Sequence, residues 1–333
     1  MTASTSPIKP AARVEVREAL DAEVRSDISV DALRLAFDGI TALLNSRLPA
    51  IGARHDGLAF APGSSATLDV LVPAGPGPHP VLVYLHGGAW VAGSPASHRK
   101  LTARFVEAGF VVVSVDYRLA PEHPFPAGFE DCLAAVHWAA AHARRFGGDP
   151  ERLTLGGDSA GANLAAAVAI ALAGRRRAPR VRALALIYGV FDMRDMGSGS
   201  ANRSIHRAYL PGEPEAWLND PRVSPIHGAH LLPPSFVIVG RQDPLLEQSR
   251  RLRGIFEQTG TRHAYVEAAA MPHGFMQMEF LGGVRQLVTD IGGFLHDETA
   301  PQTRSPGWRQ RLATTWRRWL PRRSAANASF TPK

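Results

Sequence analysis

Short apolar runs and longer stretches of helical spacing alternate along most of this chain. Leu33, Phe37, Ile40 and Leu44 recur at i, i+4, i+7 and i+11, which lines up one apolar stripe and predicts a helix within 13–48. Val70–Val72 reads as a strand end before the turn cluster at 73–80. Strands are then predicted at Val81–Leu85, Phe110–Val115, Arg152–Leu155, Val181–Tyr188, Ser235–Val239 and His263–Val266. Between them lie stretches of helical spacing: Leu101, Phe105 and Ala108; Phe129, Leu133, Val136 and Ala140; the alanine-rich Ala160–Ala173; Glu247–Gln258; and Val284–His296. Gly109, Gly147-Gly148 and Gly174 close three of these helices. Apolar strands alternating regularly with helices predict an α/β fold, a mostly parallel central sheet flanked by helices.

The rhythm breaks at 192–231, about forty residues that are too many for a plain connection. Ile205, Tyr209, Trp217 and Leu218 give this insertion apolar anchors that a solvated loop does not need, so it is read as part of a helical cap. Residues 1–12 are polar, carry Pro7 and Pro10, and are expected to lack fixed structure. The catalytic body is expected over 51–299, followed by a distinct tail at 300–333.

Composition narrows the picture. Hydrophobic residues at 45% and charged residues at 20% are ordinary for a globular chain. No apolar run approaches the ~18 residues of a transmembrane helix. The first twenty residues lack an apolar core of the kind a secretory signal needs. The single cysteine, Cys132, cannot form an internal disulfide or build a cysteine zinc cluster. These features together suggest a cytoplasmic address. The net charge of +7 is misleading as a whole-chain figure, because 300–333 holds seven arginines, Lys333 and no acid. That tail carries +8 and leaves 1–299 at −1, so no basic body argues for nucleic acid as a partner.

Gly157-Asp158-Ser159-Ala160-Gly161 is the centre of the chemistry. The pattern G-x-S-x-G is weak alone, but here a strand precedes it and an alanine-rich helix follows. A strand–turn–helix corner is the setting of a nucleophile elbow, with Ser159 exposed at the turn and a helix N-terminus behind it. His86-Gly87-Gly88-Ala89-Trp90 follows the strand Val81–Leu85. Gly87 and Gly88 can turn bare amides toward a developing oxyanion, with Ala160 supplying a third, while His86 braces the loop. A serine needs a base, and the base an orienting acid. His273 lies in a loop after the strand at 263–266, and Asp243 in a loop after the strand at 235–239. The order Ser159, Asp243, His273 suits a triad on such a sheet. Asp192 and Asp220 are rival acids, but neither directly follows a well-marked strand.

With these residues in view, the chain resembles bacterial members of the hormone-sensitive-lipase family of α/β-hydrolases. The similarity rests on HGGAW at 86–90, DYRLAPEHPFPA at 116–127, GDSAG at 157–161, the QDPL turn at 242–245 and PHGF at 272–275. It implies an α/β-hydrolase fold with Ser159 as nucleophile, His273 as base, Asp243 as orienting acid, and an oxyanion hole from the amides of Gly87, Gly88 and Ala160. It also implies a cap built from the N-terminal segment, 1–50, together with the insertion. Two departures stand out. Ala162 replaces a second glycine, and Leu246-Glu247 follow the QDPL turn where relatives often carry an Arg-Asp-Glu-like run.

The expected activity is hydrolysis of short- to medium-chain carboxylic esters, with no cofactor or metal and a small-molecule ester as the partner. An amidase with the same triad, and a non-catalytic binder on the same fold, are the alternatives; His273 counts against the binder. Trp90, Phe37, Tyr209 and Phe275 are candidate pocket walls, with plain core packing as the other reading. In the tail, Trp308, Leu312, Trp316, Trp319 and Leu320 fall on one helical face among arginines. Residues 304–323 thus read as an interfacial membrane contact, as a segment packed on a partner, or as a tail without fixed structure.

Overall fold

The structure, a computed structural model, describes residues 29–196 and 200–300. The expectations for 1–12 and for 301–333 lie outside the described residues. Eight strands form one sheet in the order β1-β2-β4-β3-β5-β6-β7-β8. They are β1 (Ala53–Ala59), β2 (Thr67–Val72), β3 (His79–Leu85), β4 (Val111–Asp116), β5 (Gly148–Asp158), β6 (Leu184–Ile187), β7 (Ser235–Gly240) and β8 (His263–Ala268). β1 pairs antiparallel with β2 and β2 with β4, whereas every later pairing is parallel. The mostly parallel sheet read from the strand–helix rhythm is the sheet observed.

The helices are α1 (Val30–Leu44), α2 (Arg99–Glu107), α3 (Ala127–His142), α4 (Ala160–Leu172), α5 (Ser200–Tyr209), α6 (Leu246–Thr259) and α7 (Val284–Thr299). Strand side chains alternate between faces. Val81, Val83 and Leu85 of β3 therefore join one apolar cluster with α3 and α4, while Leu82 and Tyr84 join another with α2 and α7. Two buried faces demand apolar residues at consecutive strand positions, which is why these strands read as unbroken runs.

Two elements escaped the pattern. β1, ARHDGLA, is an edge strand with mostly exposed positions, so its composition looked like loop. Within 192–231 the structure folds α5 and three short 3₁₀ segments, Met193–Asp195, Pro214–Trp217 and Pro225–Leu231. α5 packs against α1. β3 and β5 pair in register up to Leu85 opposite Gly157. That register brings the loop after β3 and the turn after β5 to the same point on the carboxyl edge of the sheet.

Candidate active site

Ser159 sits between β5 and α4 with φ 53° and ψ −118°, a left-handed conformation that costs a non-glycine residue energy. The elbow is held by packing. A Cβ on Gly161 would lie 2.0 Å from the Leu85 carbonyl oxygen, and one on Gly157 2.3 Å from it. Only glycine lets the end of β3 approach so closely. Ala162, at the next position along α4, is fully buried in the cluster beneath.

His273 hangs from the loop after β8 and Asp243 from the loop after β7. His273 Nε2 is 2.9 Å from Ser159 Oγ, and His273 Nδ1 is 2.9 Å from Asp243 Oδ2. The other Asp243 oxygen accepts the Leu245 amide at 2.8 Å. The two loops lock together through the Gln242 amide, which donates to the Met271 carbonyl at 3.1 Å. A carboxylate can only accept, so the imidazole keeps its proton on Nδ1 and donates it to Asp243, which leaves Nε2 as the acceptor for the serine hydroxyl. Asp243 is fully shielded and the His273 side chain is 35% exposed, so the line runs from the interior to an accessible nucleophile. The rival acids are engaged elsewhere: Asp192 with Arg194 and Arg251, Asp220 with Arg222.

The amides beside Ser159 require one correction. Gly87 was expected to offer its N–H to an oxyanion, but that N–H points inward at Asp158 Oδ1, 3.1 Å away. Its 3.3 Å approach to His98 Nε2 is a by-product of crowding, because the carboxylate is the nearer and better acceptor. The peptide planes show which amides remain. The Gly87 carbonyl accepts from His86 Nδ1 at 2.8 Å, and the Gly88 carbonyl accepts from the Val91 and Ala92 amides at 3.0 and 2.9 Å. In a trans peptide the next N–H points the opposite way, so the Gly88 and Ala89 amides face away from these anchors. Neither they nor the Ala160 amide finds an acceptor among the described residues. Gly88 has φ 126°, and Ala89 and Trp90 follow at φ 53° and 61°, so three residues in succession hold a left-handed turn. Ala89 was missed because its methyl disguises a backbone role; the signal available was its place directly after two glycines.

Beneath the loop lies a buried polar cluster that sequence reasoning also missed. Asp158 accepts from Tyr84 Oη at 2.8 Å and contacts His98 Nε2 at 3.2 Å and Tyr188 Oη at 3.4 Å. Burial alone would raise its pKa, but the charge and hydrogen bond of His98 and the Tyr84 hydroxyl hold it at about 2. Burial, aided by the charge of His98, pushes His86 down to about 3. His86 is therefore neutral, stacked on Tyr117 with ring centres 4.3 Å apart.

Of the expected pocket walls, Trp90 and Tyr209 are buried at 2% exposure each, and only Phe37 keeps a partly open surface. Trp90 stacks on Tyr209 of α5 at 4.5 Å, Phe125 meets Tyr209 edge-on, and Trp217 in turn meets Phe125 edge-on. The polar ends of Trp90 and Tyr209 are buried and without a partner among the described residues. Phe37 of α1 is half-buried against the same cluster. Phe275 is a correction: it is wholly buried under Tyr188 in the cluster on the other face of the sheet, so it offers a substrate no surface. Among the described residues, no three His, Cys, Asp or Glu side chains are grouped to hold a metal ion.

Residues 82–277 match the sequence profile of the alpha/beta hydrolase fold family. The chain belongs to that family. Its esterase relatives place it in the hormone-sensitive-lipase branch that its blocks resemble. The chain is 36% identical over 232 residues to the carboxylic ester hydrolase LipN of Mycobacterium tuberculosis, an alignment covering 63% of this chain and 61% of LipN. It is 33% identical over 211 residues to an ethyl acetate hydrolase of Pseudomonas putida, covering 59% of this chain and 66% of that protein. The chain thus spans just under two thirds of the length of these relatives. Among solved structures, the esterase of the archaeon Pyrobaculum calidifontis superposes with a TM-score of 0.76 at 29% identity, covering 89% of this chain and all of that one. In this α/β-hydrolase, no helix among the described residues is long and apolar enough to cross a membrane.

Proposed function

We propose that this chain is a serine carboxylesterase. The observation that carries the reading is the hydrogen-bonded line from Asp243 through His273 to Ser159, at 2.9 Å for each His273 contact, on a strained elbow beside unspent amides. In this mechanism Ser159 Oγ attacks the ester carbonyl while its proton passes to His273 Nε2. Asp243 holds the imidazole in the productive tautomer and offsets the imidazolium charge. The amides of Gly88, Ala89 and Ala160 take the oxyanion as the carbonyl becomes tetrahedral. The alcohol leaves with the proton from His273, and water repeats the sequence on the acyl-serine to release the acid. Short to medium acyl chains are the proposed substrates; the ethyl acetate hydrolase relative supports the short end. α1 and 192–231 would form the cap over this site, closed by the Trp90–Tyr209 stack.

The test is hydrolysis of p-nitrophenyl esters of increasing acyl length by the wild type and by Ser159→Ala. Loss of up to ~10⁶ in turnover is expected for the variant. Equal rates from the two proteins would overturn the reading.

A cytoplasmic address is proposed with it, supported by the lone buried Cys132. The basic tail at 304–323 is further proposed to contact an anionic membrane surface. In support, Arg175, Arg176, Arg177 and Arg180 are exposed at the sheet edge toward which α7 runs.

A further inference from the structure

Asp158 is adjacent to the nucleophile in sequence, yet it takes no place in the line of Ser159, His273 and Asp243. Its carboxylate instead faces the underside of the loop after β3, where it accepts the Gly87 amide. The fit is tight enough that a Cβ on Gly87 would lie 2.7 Å from Asp158 Oδ2. From the other side, Tyr117 Oη donates to the His86 carbonyl at 2.7 Å. The 86–87 peptide is therefore gripped at both its carbonyl and its N–H. Because a peptide is planar, holding this plane and the next one, whose carbonyl is tied to His86 Nδ1, sets the direction of the Gly88 amide. The groups facing Asp158 are Tyr84 of β3, Tyr188 after β6, and His98, with His86 and Tyr117 just beyond. His98 is anchored in turn by Ser97 Oγ at 2.8 Å from its Nδ1.

We propose that Asp158, ionised and paired with His98, is a positioning residue that clamps the Gly87 peptide and so aims the Gly88 and Ala89 amides at the oxyanion of the substrate bound to Ser159. The elbow and the oxyanion loop then move as one body, because the residue that ends β5 also holds the loop after β3. A carboxylate suits this role better than an amide, since it accepts from Gly87, Tyr84 and His98 at once with no donor of its own to misplace. The proposal rests on the esterase reading, because it assigns the clamp to the stability of a tetrahedral oxyanion.

The experiment compares wild type, Asp158→Asn and His98→Gln, each counted by fluorophosphonate titration of Ser159 so that misfolded protein does not enter the rate. Asp158→Asn is expected to lose roughly tenfold or more in kcat per titrated site, short of the ~10²–10³ lost when an oxyanion donor is deleted outright. KM should stay within about twofold, because the ground-state ester does not depend on the hole as the transition state does. Affinity for a trifluoromethyl ketone, which forms the same tetrahedral oxyanion on the serine, should fall by the same factor as kcat/KM. His98→Gln should lose less, and the double variant less than the product of the two single losses. A wild-type kcat per titrated site in Asp158→Asn would overturn the proposal, as would ketone affinity unmoved while kcat falls. If Asp158→Asn does not fold, His98→Gln carries the same ketone-against-kcat comparison. Failure of the wild type to hydrolyse esters or to be titrated would instead count against the esterase reading.

Discussion

His86 shows how a buried residue can govern stability far from neutral pH. Its ring is enclosed, stacked on Tyr117 and held by one hydrogen bond to the Gly87 carbonyl, and its pKa is down at about 3 from 6.5. Between those two pH values the unfolded chain binds a proton that the folded chain refuses, so stability rises with pH and is lost as pH falls. The expected contribution is about 1.4 kcal/mol per pH unit, starting near 6.5 and ending near 3. His86→Asn keeps a donor near the position of Nδ1 but does not titrate. Urea unfolding of both proteins across this range should give the variant the shallower slope; parallel slopes would remove His86 as the cause. Asp158 works in the same sense at lower pH, its stabilisation being present above its ordinary carboxylate pKa and lost as pH drops through about 2. Ser159, Asp243 and His273, which the fold brings together, could be picked out in the sequence because each sits at or shortly after the end of a strand. Asp158 was not, because it occupies the variable position of a serine motif and its partners Tyr84, His98 and Tyr188 come from three separate segments.

At the scale of elements, one residue of α1, Arg34, makes several polar ties to the body. Arg34 donates from Nε to the Val91 carbonyl at 2.8 Å and from Nη2 to the Ala120 carbonyl at 3.0 Å, and it pairs with Glu122. Exposed ion pairs are worth ~0–1 kcal/mol, so the Glu122 contact alone is a weak clasp. The two carbonyls matter more, because they belong to the loops that carry Trp90 and Phe125. Arg34→Ala is expected to cost little global stability, about 1–2 kcal/mol, and to raise KM for longer acyl chains several-fold while leaving acetate ester turnover near wild type. An equal effect on all chain lengths would mean that α1 does not shape the acyl site. The strand and helix rhythm was visible because two-sided burial enforces it. β1 and α5 were not, since an edge strand and a helix lying over the body bury too little surface to show a clean period.

For the whole molecule, the site and a group of exposed arginines lie at opposite edges of the sheet. The carboxyl edge of the sheet holds the site, and the opposite edge holds the exposed Arg144, Arg145, Arg175, Arg176, Arg177 and Arg180. α7 ends at this second edge, where Glu298 pairs with Arg262 at 2.7 Å and His296 Nε2 meets the Ala108 carbonyl at 2.7 Å. The +8 tail therefore continues from the arginine-bearing side. Full-length protein is expected to sediment with anionic vesicles and not with neutral ones. Replacing Arg309, Arg311, Arg317 and Arg318 by Gln should weaken sedimentation by roughly fivefold per arginine, and replacing the four at 175–180 should weaken it further. Wild-type sedimentation by both variants would dismiss the membrane contact, and retained hydrolysis of a soluble ester would show that the site on the far edge is intact.

By itself the sequence determined the layered α/β architecture, the elbow and the identities of the serine, histidine and aspartate, since period, glycine placement and strand-end position are local properties that survive without coordinates. Only the tertiary structure decided which backbone amides are left free, because that depends on where neighbouring segments place their acceptors. Gly87 and Ala89 look alike as candidates along the chain, yet Asp158 consumes the first amide and leaves the second. The same holds for Phe275, whose side of the sheet follows from how its loop returns after β8 and not from its own apolar character.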